Sequence, residues 1–245
     1  MTALPTRRDE AFRYADIAAL GEAWDALAPV ETTQIAAQQS LQQIWLPSGN
    51  DIDVRRANFD VAAGATLDLF LLATASRYGR FEIDVTLREG AAFALDAAMI
   101  GGGSATLEIV TTVRHVERDA SSRQTVRSVL GDTATGSYLG KVAVARGADG
   151  TDGEQSVKAM LLNRGATANA KPELEIYADD VKCAHGATVG ELDPNQLFYA
   201  MARGMDPATA KAVLLDGFVG GLWDSLDEDS AIAAAARAAL REVTR

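Results

Sequence analysis

Residues 81–95, Phe81-Glu-Ile-Asp-Val-Thr-Leu-Arg-Glu-Gly-Ala-Ala-Phe-Ala-Leu95, contain one complete unit of the pattern that governs the middle of this chain. Apolar and polar side chains alternate up to Leu87, which is typical of a β-strand with one buried face. A glycine corner at Gly90-Ala-Ala92 follows, and the next apolar step, Phe93-Ala-Leu95, begins at once. Because no helix separates these strands, the pattern argues against a doubly wound α/β sheet.

The same pattern recurs on both sides of this unit. Shorter alternating segments predict further strands at Leu67-Asp-Leu69, Leu107-Glu-Ile109, Val142-Ala-Val144 and Leu174-Glu-Ile176. The corners carry a loosely repeated phrase: Gly64-Ala-Thr66, Gly90-Ala-Ala92, Gly165-Ala-Thr167 and Gly186-Ala-Thr188. A sandwich, a barrel and a β-solenoid all fit short strands of this kind. Repeated corners favour the solenoid, because each coil stacks on its neighbour and reuses the same turn.

Helical segments are predicted on both flanks, so we divide the chain into a helical region 1–50, a β-core 51–190 and a helical region 191–245. Near the N-terminus, apolar residues recur at helical spacing, namely Phe12, Ile17, Leu20, Trp24 and Leu27, followed after Pro29 by Ile35, Leu41 and Ile44. Near the C-terminus, helix starts are predicted at Asp193-Pro194, Asp206-Pro207 and Asp229-Ser230, with Gly204 ending the first of these helices.

Composition narrows the classes of function. The chain has 245 residues, 48% of them hydrophobic, and 34 acidic against 23 basic side chains give a net charge of −11. A chain of this length buries a core without a disulfide or a structural metal. Its acidity makes nucleic acid and anionic membranes poor partners. Without an apolar run of roughly 18 residues, we expect no membrane span and a cytoplasmic protein.

Known enzyme motifs fail on inspection. Gly136-Ser-Tyr-Leu-Gly-Lys141 is one residue too short for a phosphate-binding P-loop, and Val142 replaces the Ser or Thr that holds magnesium. The segment Asp149-Gly-Thr-Asp-Gly-Glu154 has carboxylates suited to calcium, but a solvated turn is the simpler interpretation.

Cys183 and His185 form the one local constellation with chemical promise. In an extended segment Val181, Cys183 and His185 share one face, so a thiol and an imidazole form half of a soft-metal site. The alternative is that Cys183 is a small buried apolar residue and His185 bonds a nearby carbonyl. With one Cys and two His in the chain, any iron–sulfur cluster is shared with another chain. The second histidine, His115, fits an ordinary solvent-facing strand position.

Around this pair the sequence closely resembles the SufD branch of the SufB/SufD family of iron–sulfur cluster assembly proteins. The resemblance rests on Lys171-Pro-Glu-Leu-Glu-Ile-Tyr-Ala-Asp-Asp-Val-Lys-Cys-Ala-His-Gly-Ala-Thr-Val-Gly190, with Asp193, Gln196-Leu-Phe-Tyr199 and Ala202-Arg-Gly204 after it. Weaker similarity extends upstream to Gly140-Lys-Val-Ala-Val144 and Gln155, and to Pro5–Tyr14 near the N-terminus.

The resemblance implies a fold, two partners and a site. The fold is a right-handed parallel β-helix flanked by N- and C-terminal α-helical regions. The partners are a SufB-like paralogue, met through the β-helix, and a SufC-like ABC ATPase, met through the C-terminal helices. By position, His185 and the neighbouring Cys183 face a nascent cluster at the SufB-like interface. The residues expected to meet the ATPase are Phe198, Tyr199, Arg203, Gly204 and Phe218.

The predicted function is a non-enzymatic scaffold that binds no cofactor stably on its own and shares a transient iron–sulfur cluster with its partner. Two alternatives remain at this point. One is a carbohydrate-acting β-helix enzyme, which the 6% aromatic content disfavours. The other is an interaction module in which Cys183 and His185 are only structural. An isolated chain with an exposed sheet is also expected to be able to form a homodimer.

Overall fold

In the computed structural model, which describes residues 3–27, 29–227 and 229–245, twelve β-strands wind into six successive coils. Each coil gives one strand to each of two sheets, so the order is β1-β3-β5-β7-β9-β11 in one sheet and β2-β4-β6-β8-β10-β12 in the other. Every neighbouring pair is parallel. We call these the odd sheet and the even sheet. The predicted β-solenoid with flanking helices is confirmed.

The strands are mostly ten residues long. Their bounds are β1 Thr32–Ile35, β2 Ser40–Trp45, β3 Ile52–Val61, β4 Thr66–Ala73, β5 Tyr78–Leu87, β6 Ala92–Gly101, β7 Thr106–His115, β8 Ser121–Leu130, β9 Thr135–Val144, β10 Asp152–Leu161, β11 Thr167–Ile176 and β12 Lys182–Glu191. The helices are α1 Ile17–Trp24, α2 Pro194–Ala202, α3 Pro207–Gly220 and α4 Ala231–Val243, with short 3-10 helices at Glu10–Phe12 and Gly221–Trp223.

The core lies between the two sheets. Alternate residues of each strand point inward, and the register places them directly above those of the neighbouring coil, as Leu69 lies beside Leu95. Phe81 and Ile83 fill the same interior from the odd sheet. Stacked apolar side chains therefore stabilise the coil along its whole length.

Corners stack as well. The residue two positions before each of the strands β2, β4, β6, β8 and β10 has a left-handed backbone, and these residues are Gln38, Gly64, Gly90, Asp119 and Gly150. Each donates its N–H to a carbonyl in the corner of the next coil. The predicted corner phrase is confirmed at 64–66, 90–92 and 165–167, each of which runs into a strand. It is wrong at Gly186, which lies inside β12.

The predicted helical segment at residues 35–44 is wrong. Ile35 ends β1, and Leu41 and Ile44 lie in β2, so the first coil begins at Thr32 and not after Asp51. Exposure alternates residue by residue along β2, because pairing with β4 decides its conformation. Three apolar residues are too few to separate a period of 3.6 from a period of 2. Leu27 also lies outside its predicted helix, since α1 ends at Trp24.

The C-terminal helices begin at the predicted residues. Asp193 and Asp206 accept backbone hydrogen bonds at the starts of α2 and α3, and Gly204 has φ 96° just after α2. Helices α3 and α4 pack over Phe70 and Leu72 on the outer face of the even sheet. Among the helices in the described residues, none is long and apolar enough to cross a membrane.

A buried guanidinium holds the N-terminal segment on the outer face of the odd sheet. Arg80 is fully buried, with its Nη1 3.0 Å from the Glu108 carboxylate and its Nε 2.7 Å from Glu82. Its Nη2 donates to the Ala11 carbonyl at 2.8 Å, and its guanidinium lies 4.1 Å from the centre of the Phe12 ring. The position of the N-terminal segment therefore depends on the buried positive charge of Arg80.

Candidate functional site

Cys183 and His185 lie on β12, the even strand of the last coil. Their register partners in β10 are Gly153 and Gln155, which are buried and belong to the inner face. The thiol and the imidazole therefore share the inner face, as the sequence predicts, and their Cα atoms are about 6.6 Å apart. Their role as metal ligands stays a prediction.

The last coil has no neighbour on its outer side. Among the described residues, β12 pairs only with β10 and β11 pairs only with β9. As a result His185 is exposed although it lies on the inner face of its strand. The open end presents two parallel edge strands of ten residues each.

Cys183 is half-buried under the edge. Gly153 lies directly beneath it, and a Cβ atom added there would come into ordinary van der Waals contact with the Cys183 Sγ at 3.4 Å. Burial raises the pKa of the thiol, and a hydrogen bond from the Gly153 backbone opposes this rise. The resting form is therefore the thiol, which is deprotonated when it binds a metal.

His115 is buried in the core and not solvent-facing, so the sequence interpretation of this residue is wrong. Its position at the end of β7 is on the inner face, where its Nε2 lies 2.9 Å from the Ser122 Oγ. Burial lowers its pKa to about 4, because the charged imidazolium loses its hydration. The histidine is neutral inside the folded chain near pH 7.

This burial makes stability depend on pH. The unfolded chain binds a proton at His115 near pH 6.5, whereas the folded chain binds it only near pH 4, so the free energy of unfolding falls as the pH drops through this window. Between about pH 7 and pH 5, protonation of His115 in the unfolded chain should lower the free energy of unfolding of the wild type by about 2 kcal/mol. In His115→Gln this loss should be absent. Urea unfolding of both proteins at the two pH values measures it. An identical pH slope in wild type and variant would contradict the assignment.

A polar network crosses the interior next to the open end. The Tyr138 hydroxyl, whose pKa burial raises to about 12, donates to the Gln124 Oε1 at 3.1 Å and accepts from the Gln155 Nε2 at 3.0 Å. Thr111 donates to the same Gln124 oxygen at 2.6 Å. A Cβ atom at Gly140 would lie 2.1 Å from the Tyr138 hydroxyl, so this glycine makes the space.

Sequence reasoning missed this network. Its signal was a pair of glutamines 31 residues apart, which the register aligns in β8 and β10. His185, the register partner of Gln155, continues the same row in the last coil. The candidate site is therefore a half-buried thiol and an exposed imidazole with a buried polar row beneath them.

Comparison with known proteins shows the family of this chain. Residues 30–218 match the family model described as the SufBD core domain of the SUF system for iron–sulfur cluster assembly. This chain belongs to the SufBD family. The iron-sulfur cluster assembly protein SufD of Escherichia coli is 30% identical over 203 residues, which is 81% of this chain and 48% of the E. coli protein. SufD of Bacillus subtilis is 30% identical over 128 residues, covering 52% of this chain and 29% of that protein.

A plant relative shows the strongest local similarity of the three. The chloroplastic protein ABCI7 of Arabidopsis thaliana is 47% identical over 81 residues, covering 33% of this chain and 17% of the plant protein. This SufBD-family chain spans about half or less of the length of these relatives.

The predicted ATPase-contact residues of this SufBD-family chain lie mainly on α2 and just after its C-terminal end. Phe198 is 73% exposed and Tyr199 is 61% exposed, and no residue of α2 is buried. Arg203 caps the helix with its guanidinium 5.1 Å from the Tyr199 ring. Gly204 follows it, whereas Phe218 is half-buried in α3 among the residues that cover the even sheet. The pair Cys183 and His185 is separate, since His185 lies about 20 Å along β12 from its end at Glu191.

The donor set fits part of a cluster site only. Within the described residues, the structure groups no three or more His, Cys, Asp or Glu side chains in a way that could hold a metal ion. An iron–sulfur cluster normally takes four protein ligands. The imidazole of His185 and the thiol of Cys183 are two groups of the kind that such a cluster takes, out of the four that it needs.

Proposed function

We propose that this chain is a SufD-like, non-enzymatic scaffold subunit of a SUF complex, in which a nascent iron–sulfur cluster is built between it and a SufB-like partner. Family membership supports the assembly role. The observation that carries the proposal is the position of Cys183 and His185 on an open edge strand. A cluster held there is a shared, transient cargo, and the isolated chain binds no cofactor stably. A cytoplasmic location goes with this role.

The SufB-like partner continues the coil at its open end. Strand β12 has no Asp, Glu, Lys or Arg between Lys182 and Glu191, although charges of this kind normally protect an edge from pairing. Its unpaired backbone groups suit addition of a strand from a second β-helix. Such pairing places the partner's side chains against Cys183 and His185. When the partner is absent, the same edge suits a homodimer.

The SufC-like ATPase contacts α2. Large exposed apolar side chains on one short helix are unusual for a surface that stays in water. Phe198 and Tyr199 provide such side chains, and Met201 adds a third that is 41% exposed. ATP-driven movement of the ATPase then reaches the coil through the helices that follow β12.

Co-expression with a SufB-like and a SufC-like protein from the same host tests the proposal. We expect tagged chain to recover both partners, and iron and sulfide to be retained after anaerobic reconstitution. Recovery of the chain alone, from cells shown to contain both partners, would contradict the assembly role.

Phe198→Ala tests the ATPase contact separately. We expect it to weaken binding of the SufC-like subunit by about 10- to 100-fold, because exposed aromatic side chains dominate interfaces of this kind. The free energy of unfolding should change by less than about 0.5 kcal/mol, since the side chain is 73% exposed. Calorimetric titration with the purified ATPase measures the affinity.

Tyr177→Ala is the matched control, because Tyr177 is also an exposed aromatic residue, at 59%, but follows β11 at the open end. It should leave ATPase binding unchanged. Equal weakening by both variants would assign the ATPase to the open end and not to α2.

A further inference from the structure

Gln155 has a buried oxygen that the structure leaves without a hydrogen-bond partner. The side chain is 1% exposed, and its Oε1 makes no hydrogen bond although its Nε2 donates to Tyr138. A buried acceptor in this state costs about 1–3 kcal/mol. It therefore calls for a donor in its immediate surroundings.

The direction of this oxygen follows from its neighbours. The Gln124 oxygen and the Gln155 nitrogen both face the Tyr138 hydroxyl, which lies between them. The oxygen and nitrogen of a carboxamide diverge from each other, so the free Gln155 oxygen is turned away from the hydroxyl that its nitrogen bonds. Gln155 has a register partner in each flanking coil, about 4.8 Å away: the buried Gln124, whose Nε2 also lacks a partner, and the exposed His185 of the last coil, whose side chain has the freedom to turn toward the oxygen.

We propose that Gln155 is a positioning residue for His185. Rotation of the exposed His185 side chain about its own bonds brings a ring N–H to the Gln155 oxygen, which accepts the hydrogen bond. The proton is then fixed on that ring nitrogen. The other nitrogen keeps its lone pair and faces the open edge, as is usual for a histidine that binds a metal through one nitrogen and bonds a carbonyl through the other.

The network explains why the oxygen can hold the ring. The Gln155 amide is fixed by Tyr138, and Tyr138 is held in turn by the Gln124 oxygen, which also accepts from Thr111. Gly140 leaves the space that these groups occupy. A side chain fixed in this way loses little further conformational freedom when it binds the imidazole.

The ring nitrogens of His185 provide the test. The chain has only two histidines, so a protein labelled with ¹⁵N-histidine gives two ring patterns, which His185→Ala assigns. At about pH 8, we expect His185 to show one fixed tautomer with well-separated nitrogen shifts. In Gln155→Leu these shifts should move to the averaged values of free imidazole. An averaged ring in the wild type would overturn the proposal, even if the variant failed to fold.

Gln124→Leu is the matched control, because it makes the same change one coil further from His185. It should leave the His185 tautomer in place, because Thr111, whose Oγ1 lies 3.2 Å from the Tyr138 hydroxyl, can bond that hydroxyl once Gln124 is removed. The buried His115 reports on the fold, and its signals should persist in both variants. Equal loss of the fixed tautomer in Gln124→Leu and Gln155→Leu would show general loosening and overturn the specific role of Gln155.

The consequence for the cluster rests on the proposed function. In the complex with the SufB-like and SufC-like proteins, Gln155→Leu should lower iron incorporation about 10-fold or more, as loss of a supporting hydrogen bond does at other metal sites. If Gln155→Leu frees the tautomer but iron incorporation is normal even in His185→Ala, the hydrogen bond stands and the proposed function fails. If His185→Ala abolishes incorporation while Gln155→Leu changes neither readout, only this inference fails.

Discussion

His185→Ala should abolish cluster build-up in the assembled complex while the complex itself forms normally. The imidazole is exposed at the open end, so its loss removes no core contact, but a methyl group has no lone pair to offer to iron. We expect iron and sulfide in the purified complex to fall at least about 10-fold, a loss of roughly 1.4 kcal/mol or more in binding. Iron and sulfide assays on the anaerobically reconstituted complex measure it.

The other histidine gives the control for this experiment. His115 is buried at the end of β7, next to Ser122 at the start of β8. His115→Gln should leave the cluster content unchanged near pH 7, where the native histidine is neutral. Cys183→Ser extends the series to the thiol. Normal iron and sulfide in the His185→Ala complex would remove this residue from the mechanism and favour a plain interaction module.

The largest effect on stability is expected for Arg80→Met. The change leaves the Glu108 carboxylate, which is also fully buried, without its cation at 3.0 Å. Breaking one side of a buried ion pair costs about 3–5 kcal/mol. Urea unfolding measures the loss. Arg80→Met should also release the N-terminal segment, because the Ala11 carbonyl and the Phe12 ring lose their contacts with the guanidinium.

Two comparisons make this result specific to burial. Arg88 pairs with Asp60 on the surface and is 41% exposed, so Arg88→Met should cost no more than about 1 kcal/mol. Adding Glu108→Leu to Arg80→Met should recover a large part of the lost stability, since no unpaired charge remains. If Arg80→Met and Arg88→Met lower the free energy of unfolding equally, burial does not govern the energy of the Arg80–Glu108 pair.

The sequence predicts the coil better than it predicts the ends of the coil. Period-2 alternation, as in residues 81–87, is a local signal, and every strand predicted in this way is present. Near the N-terminus, Ile35 and Leu41 fit either period, and only pairing with neighbouring coils determines that they are strands. Helix starts at the C-terminus are predicted correctly because Asp193 and Asp206 act within one turn of their own position.

The site divides in the same way. The shared face of Cys183 and His185 follows from strand alternation alone. The row of Gln124 and Gln155 depends on the lengths of two intervening corners, which fix the register over 31 residues, and no local pattern encodes it. The burial of His115 escapes prediction for a related reason. An inner-face position and an outer-face position differ by one residue, so a small uncertainty in where β7 begins reverses the expected exposure.

The stacked corners have a consequence for motion. Each coil contacts only the coils directly before and after it, so the chain behaves as a one-dimensional array in which opening starts at a terminus and spreads inward. The sixth coil, like the first, has one neighbour where the inner coils have two, and local unfolding at such an end requires less free energy than in the middle. Cys183 and His185 lie on that coil. Docking of a further β-helix would turn this terminal repeat into an internal one, and the groups offered to a cluster would become rigid at the moment when the second half of the site arrives.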